Sequence, residues 1–182
     1  SSAASDVYKR QVYQYNLTTA FDVSTASYSN NSIDLGTVAN GSQGDPRAIV
    51  FNNDGTKMFT LDAQGDSDIN EFTLSTAFDL SSTVTFVDSF SISSQTTTSR
   101  DLVFNDDGTR MFVYDNGSSS VYQYNLSTAY DVSTASYSNN SYTVSGTVGN
   151  RGIAFSIDGK KMFINDMDLS LIHISEPTRR RG

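Results

Sequence analysis

Residues 50–59 read Val-Phe-Asn-Asn-Asp-Gly-Thr-Lys-Met-Phe, and this stretch returns twice along the chain. Residues 103–112 read Val-Phe-Asn-Asp-Asp-Gly-Thr-Arg-Met-Phe, and residues 154–163 read Ala-Phe-Ser-Ile-Asp-Gly-Lys-Lys-Met-Phe. Successive copies of the first phenylalanine are separated by 53 and 51 residues. Such a period indicates a repeat architecture, in which each unit packs on its neighbours.

A second block has the same spacing. It runs from residue 12 to residue 23 and recurs from residue 69 and from residue 121. In the first complete unit the pattern predicts four short strands, at 48–52, 57–61, 69–74 and about 84–92. Asp54-Gly55 joins the first two strands and is a strong hairpin signal, because both residues tolerate the positive φ of a tight turn.

Four-stranded units that recur at this spacing are typical of β-propeller blades. One such sheet has aromatic residues on both faces, Phe51, Phe59 and Phe72 among them, and cannot bury them alone. Stacking of the next blade covers them, and each buried Phe contributes roughly 1.5–3 kcal/mol. We therefore predict an all-β fold, a partial β-propeller of about three four-stranded antiparallel blades in an open arc. Two complete repeats and two half repeats make up this arc.

The copy of the second block that begins at Val121 continues to residue 137 and reads Val-Tyr-Gln-Tyr-Asn-Leu-Ser-Thr-Ala-Tyr-Asp-Val-Ser-Thr-Ala-Ser-Tyr. Together with the Asp-Gly block it resembles β-propeller repeats of the NHL and YVTN kind, above all a variety from large proteins of marine microbes and their viruses. The resemblance covers residues 12–168, in units of about 12–46, 47–99, 100–150 and 151–168. It implies the fold but no single function, because propellers host binding, structural and enzymatic roles.

The two ends of the chain do not share the repeat pattern. Residues 6–11, Asp-Val-Tyr-Lys-Arg-Gln, and residues 169–174, Leu-Ser-Leu-Ile-His-Ile, can be encoded by DNA strings that are reverse complements of each other. They resemble translated transposase adapters from sequencing libraries. We therefore expect residues 1–11 and 169–182 to be non-native adapter-derived segments, and the repeats to be cut from a longer protein.

The charge balance excludes some partners. The chain has a net charge of −8, and its only histidine, His173, lies in the second adapter-like segment. An acidic chain lacks the basic surface that neutralises nucleic-acid phosphates, so we expect no nucleic-acid partner. No apolar run approaches the roughly 20 residues of a membrane span, so we expect none. The resemblance implies a location outside the cell, on its surface or on a virion.

The loops on the two faces of the predicted arc differ. One face carries the recurring Asp-Gly turns and Thr-Ala-Phe/Tyr-Asp loops, whereas the loops of the other face vary in length and content. Variable loops on a rigid scaffold are common sites of recognition. We expect a protein, a glycan or a small anionic ligand to bind at this variable loop face, and the outer blades to stack on further blades of the same chain.

In each of the last three units an arginine lies just before the first predicted strand, and an aspartate lies just after the second predicted strand. If each hairpin turns on Asp-Gly alone, the arginine faces the aspartate across its own hairpin. One interpretation is a repeated cross-strand ion pair. The other is a ring of arginines at the mouth of the central channel that binds anionic ligands. The candidate binding residues are Arg47, Arg100, Arg151, Asp62, Asp115 and Asp166.

Clustered loop carboxylates suggest one further ligand. Asp62, Asp66 and Asp68 lie close together in the sequence, and carboxylate oxygens suit Ca²⁺. No EF-hand spacing is present, and acidic loops are common in acidic proteins, so a solvated loop is the alternative. We expect no other cofactor.

Most of the recurring aspartates have a structural explanation. We expect Asp54, Asp107 and Asp158 to form turns, and the aspartates of the Thr-Ala-Phe/Tyr-Asp loops to accept hydrogen bonds from backbone N–H groups. The loop aspartates are Asp22, Asp79 and Asp131.

The residue types between the ends favour binding over catalysis. Residues 12–168 contain no His and no Cys, the usual general base and the commonest soft nucleophile. We predict a non-catalytic propeller scaffold or binding module from a larger surface, secreted or virion-associated protein. The alternative is a fragment of a propeller enzyme, a lactonase-like hydrolase whose catalytic residues lie in further blades.

Overall fold

The computed structural model describes residues 10–39, 44–63, 67–144 and 152–165. These residues form antiparallel strands joined by short turns, one four-residue helix, α1 (Leu35–Val38), and two 3₁₀ turns at Val23–Thr25 and Val132–Thr134. None of their helices is long and apolar enough to cross a membrane. The strands are β1 (Gln11–Leu17), β2 (Ala26–Asp34), β3 (Pro46–Phe51), β4 (Lys57–Asp62), β5 (Asp68–Leu74), β6 (Val84–Ser91), β7 (Ser99–Phe104), β8 (Arg110–Asp115), β9 (Ser120–Leu126), β10 (Ala135–Thr143), β11 (Gly152–Phe155) and β12 (Met162–Asn165).

Among the described residues the strands assemble into four sheets, which we call blades. Blades 2 (β3–β6) and 3 (β7–β10) are complete four-stranded meanders, in which each strand pairs with the next along the chain. Blade 1 (β1–β2) and blade 4 (β11–β12) contain two strands each. The first strands of blades 2, 3 and 4 contact one another in succession. The predicted all-β fold, with two complete and two half repeats, is confirmed.

The Asp-Gly sites form the predicted hairpins. Gly55 has a φ of 71°, and its N–H donates to the carbonyl of Asn52 at 3.1 Å. Asp54 stabilises the same turn by accepting a hydrogen bond from the Thr56 N–H at 2.9 Å. Gly108 and Gly159 have φ values of 70° and 65° at the equivalent positions. Glycine is required here because a side chain strains the left-handed backbone.

The apolar core lies between the blades. Phe59 of β4 packs on Phe104 of blade 3 at a ring-centroid distance of 4.7 Å, and Phe112 of β8 packs on Phe155 of blade 4 at 4.5 Å. Phe59 and Phe72 have no exposed surface. The prediction that neighbouring blades cover these aromatic residues is therefore confirmed, and each such ring contributes roughly 1.5–3 kcal/mol.

A buried carboxylate also joins blades 2 and 3. Glu71 of β5 is 1% exposed, and its Oε1 accepts a hydrogen bond from the Lys57 ammonium at 2.7 Å. Its Oε2 accepts from the N–H of Val132, in the 3₁₀ turn of blade 3, at 2.9 Å. Blade 1 holds blade 2 in the same way, because Gln14 Oε1 accepts from the Leu80 N–H at 2.7 Å. We call this repeated contact the polar latch.

Candidate functional site

The first residues of β3 and β7 and the last residues of β4 and β8 lie at the variable loop face. Asp62 lies opposite Pro46, whereas Ala48 lies opposite Leu61, so Arg47 is the extra residue of a β-bulge. The same irregularity leaves Arg100 as the extra residue between Ser99 and Asp101 in β7. A bulge shifts the register by one residue. The prediction that each arginine faces the aspartate of its own hairpin is therefore wrong for blades 2 and 3.

The carboxylate of Asp62 organises the loop that leads into β3. Asp62 is 1% exposed and accepts hydrogen bonds from the backbone N–H groups of Gly44 and Asp45, the second at 2.8 Å. Both carboxylate oxygens are used in these contacts. This aspartate therefore ties the end of β4 to the loop that precedes β3, a structural role at the edge of the candidate site.

Asp115 has the corresponding role in blade 3 and accepts four hydrogen bonds from the neighbouring loops. It is 3% exposed, and its Oδ1 accepts from the hydroxyls of Thr96 and Thr98, the second at 2.6 Å. Its Oδ2 accepts from the Ser118 N–H and hydroxyl, both at 2.7 Å. One carboxylate therefore fixes two loops of the variable face.

Burial alone raises the pKa of Asp115, but the hydrogen bonds from Thr96, Thr98 and Ser118 outweigh it and the net pKa is lowered. A lowered pKa in the folded state stabilises the fold above the ordinary aspartate pKa of about 3.9. That contribution is lost as the pH falls through the folded-state pKa. We expect Asp115→Asn to lower the free energy of unfolding at pH 7 by about 1–3 kcal/mol.

Urea unfolding of the wild type and of Asp115→Asn at pH 7 and pH 3 tests this expectation. The difference between the two proteins should shrink at pH 3, below the ordinary aspartate pKa of about 3.9, because the carboxyl of the unfolded chain is then mostly protonated. A difference of equal size at both pH values would contradict the assignment of an ionised, hydrogen-bonded carboxylate.

The bulged arginines have different surroundings. Arg47 forms an ion pair with Asp45, which lies two residues before it, and about 35% of its side-chain surface stays exposed. Arg100 is half-buried and forms no ion pair with the part of the chain that the structure describes. Arg151 and Asp166 lie outside the described residues. Because Asp62 and Asp115 are engaged with loops, they do not neutralise these arginines as pair partners across the hairpin.

A cavity adjoins Arg47 between blades 1 and 2. Its volume is about 360 Å³, and its wall includes Tyr13, Leu35, Arg47 and Thr60. An apolar wall with a charged group at its edge is the composition of a small-ligand site. Arg47 therefore lines a mainly apolar cavity while its guanidinium pairs with Asp45.

Asp101 is a site residue that sequence reasoning missed. Its Oδ1 accepts from the Leu102 N–H at 2.9 Å, and its Oδ2 accepts from the Ile153 N–H of β11 at 2.9 Å. It thereby joins the first strands of blades 3 and 4. The repeat alignment could have pointed to it, because only this unit has a charged residue at this position. The equivalent residues of the other units are Ala48 and Gly152.

The candidate calcium site stays a prediction. Asp66 lies outside the described residues, and Asp62 already accepts two backbone hydrogen bonds. Within the described ranges, no group of three or more His, Cys, Asp or Glu side chains could hold a metal ion.

The structural interpretation of the recurring aspartates is confirmed where the hydrogen bonds are described. Asp79 accepts from the Ser81 N–H at 2.8 Å, and Asp107 accepts from the Thr109 N–H at 2.9 Å. These bonds, together with those from the side-chain hydroxyls of the same Ser and Thr residues, lower the pKa of both carboxyls. The equivalent contacts form at Asp22, Asp131, Asp54 and Asp158.

No protein-family model matches the sequence. No curated protein matches it either. The fold is similar to that of a "putative 6-phosphogluconolactonase" from Bacteroides fragilis, with a TM-score of 0.57 and 14% identity over 85% of this chain and 41% of that chain. A second protein of the same description, from Bacteroides uniformis, gives a TM-score of 0.56 and 16% identity over 87% of this chain and 48% of that chain.

These similarities show a β-propeller-like all-β fold. The chain spans less than half the length of the two Bacteroides structures. At such low identity the likeness concerns the fold alone.

Proposed function

We propose that the chain is a non-catalytic β-propeller scaffold whose variable loop face binds a small anionic ligand. The observation that carries the proposal is the bulge at Arg47 and at Arg100. It takes both arginines out of register with Asp62 and Asp115, which hold the surrounding loops, and Arg47 pairs instead with Asp45 of the loop before β3. Guanidinium groups on a preorganised loop face suit carboxylate and phosphate ligands.

The ionisation of the carboxylates supports a binding role over catalysis. The pKa is lowered for Asp22, Asp54, Asp79, Asp107, Asp115 and Asp158, because hydrogen bonds from neighbouring hydroxyl and N–H groups outweigh burial. A general acid or base that works near neutral pH needs a carboxyl pKa raised toward that value. The place of this module in a larger surface, secreted or virion-associated protein is part of the same proposal.

Titration calorimetry with 6-phosphogluconate and inorganic phosphate as probes tests the binding. We expect Arg47→Ala and Arg100→Ala each to weaken binding at least about tenfold, because each removes a charge-assisted hydrogen bond. Arg110→Ala is the matched control, since Arg110 is exposed on the Asp-Gly face. Equal losses in all three variants would indicate only the effect of net charge, and no binding by the wild type would contradict the proposal.

The second candidate is a lactonase-like propeller enzyme. The observation that favours it is the similarity to the two Bacteroides proteins described as 6-phosphogluconolactonases. Its test is the hydrolysis of 6-phosphogluconolactone, followed by proton release against the spontaneous rate. Turnover by the wild type that Arg47→Ala reduces would favour the enzyme, whereas binding without turnover favours the scaffold.

A further inference from the structure

The loop between β8 and β9 contains a chemically labile pair of residues. The sequence has two Asn-Gly pairs, Asn40-Gly41 and Asn116-Gly117, and the structure describes the second of them. Asparagine is one of the thermolabile residues. A following glycine makes it more reactive, because no side chain hinders the glycine nitrogen. Asn116 is therefore a position at which the covalent chain itself can be modified.

The modification joins two atoms that are already close in the covalent chain. The backbone nitrogen of Gly117 gives its proton to a base in the solvent and attacks Cγ of Asn116. The side-chain nitrogen leaves as ammonia, and the new bond closes a succinimide ring. Water then opens the ring at one of its two carbonyls, which gives either aspartate or isoaspartate. The Gly117 nitrogen must therefore be free to lose its proton and to turn toward the side chain.

In the structure this nitrogen is engaged by Thr98. The Gly117 N–H donates to Thr98 Oγ1 at 2.9 Å, and the Thr98 hydroxyl donates in turn to Asp115 Oδ1 at 2.6 Å. Because the hydroxyl proton is used by the carboxylate, a lone pair of the same oxygen remains for the Gly117 N–H. The N–H of Asn116 also donates to the Thr98 carbonyl at 3.1 Å. Thr98 therefore fixes the backbone at Asn116 and at the attacking nitrogen.

The contact with Thr98 also explains the glycine at position 117. A Cβ on Gly117 would lie 2.4 Å from Thr98 Oγ1, so a larger residue would displace the hydroxyl. The absence of a side chain thus allows the hydrogen bond to form, and it also makes Asn116 reactive. The bond that requires the glycine is the same bond that withholds its nitrogen from the reaction.

Blade 2 has the equivalent backbone contact without the labile pair. The Ala63 N–H donates to the Asp45 carbonyl at 3.0 Å, which matches the bond from Asn116 to Thr98 in blade 3. Ala63 has no side-chain amide to lose, and Asp45 has no hydroxyl at the position of Thr98. In the two complete blades, the hydroxyl contact therefore occurs only where the Asn-Gly pair occurs.

We propose that Asn116-Gly117 is a site of succinimide formation and that Thr98 keeps it unreactive in the folded chain. The Thr98 hydroxyl withholds the attacking nitrogen, and Asp115 orients that hydroxyl. Loss of this contact exposes the pair to deamidation, which replaces a neutral amide by a carboxylate next to Asp115. The isoaspartate product also carries one additional methylene group in the backbone of a loop at the variable face.

The first test compares the folded and the unfolded chain. The 182-residue protein is incubated in mildly alkaline buffer with and without denaturing urea, and peptide mapping by mass spectrometry measures deamidation at Asn116. Asn40 is the reference in urea, because residues 40–42 and 116–118 are both Asn-Gly-Ser. Asn116 should react at least about tenfold more slowly without urea, since two hydrogen bonds must open first. Equal rates of Asn116 in both conditions would overturn the proposal.

The second test assigns the protection to the Thr98 hydroxyl. Without urea, Thr98→Val should raise the rate of deamidation at Asn116 at least about fivefold, and Thr98→Ser, which keeps the hydroxyl, should leave it slow. Thr96→Val is the matched control, because the Thr96 hydroxyl also donates to Asp115 but does not accept the Gly117 N–H. An unchanged rate in Thr98→Val, or an equal rise in Thr96→Val, would overturn the proposal.

Discussion

Gly55→Ala is expected to lower the free energy of unfolding by about 2–4 kcal/mol. Two effects combine at this site. The φ of 71° is in the left-handed region, where an alanine costs about 1 kcal/mol more than glycine. The new Cβ would also lie 2.2 Å from the ring of Phe78, whose N–H donates to the Gly55 carbonyl at 2.9 Å. The ring must therefore leave the position in which it packs on Phe51.

The ring contact can be separated from the backbone strain. In a Phe78→Ala background the clash is absent, so Gly55→Ala should cost only about 1 kcal/mol there. Gly159→Ala is a matched control, because its φ is 65° and no atom of the described residues lies within 4 Å of the position of its Cβ. Urea unfolding of the four proteins of the cycle measures the coupling. If Gly55→Ala lowers the free energy of unfolding equally in both backgrounds, the clash with the Phe78 ring does not contribute to the loss.

Glu71→Ala is expected to destabilise the chain by about 3–5 kcal/mol. The substitution leaves the Lys57 ammonium, whose side chain is 27% exposed, without its carboxylate. It also leaves the buried Val132 N–H without an acceptor. Of its two described partners the ammonium then keeps only the Tyr130 carbonyl, 2.7 Å away, and the unpaired Val132 donor is costly because it lies buried between blades 2 and 3.

Glu71→Gln is the matched control for this prediction. Gln14 already fills the same position in blade 1 and accepts from the Leu80 N–H at 2.7 Å. A glutamine at position 71 therefore keeps the bond to Val132, and we expect a loss of only about 1–2 kcal/mol. Guanidinium unfolding monitored by tyrosine fluorescence measures both variants. If Glu71→Ala lowers the free energy of unfolding by less than about 1 kcal/mol, the polar latch does not stabilise the contact between blades 2 and 3.

The candidate site was only partly predictable. The positions of Arg47 and Arg100 beside Asp62 and Asp115 followed from repeat alignment, but their pairing did not. A bulge has no marker of its own in this sequence, and in the structure it occurs beside the hydrogen bonds that the two aspartates accept from the loops before β3 and β7. The latch was missed for a related reason: alignment places Gln14, Glu71 and Gln123 together, but only the stacking of blades shows what their side chains contact.

Repetition and local chemistry in the sequence by themselves determined the hairpins, the four-stranded units and the need for neighbouring blades. Asp-Gly turns and alternating apolar residues act over a few residues, so their consequences can be read without coordinates. Only the tertiary structure decided which polar groups meet across blades and how the strands shift at the variable face. Those outcomes depend on hydrogen bonds between residues 17 to 66 positions apart, whose geometry emerges only when the sheets stack.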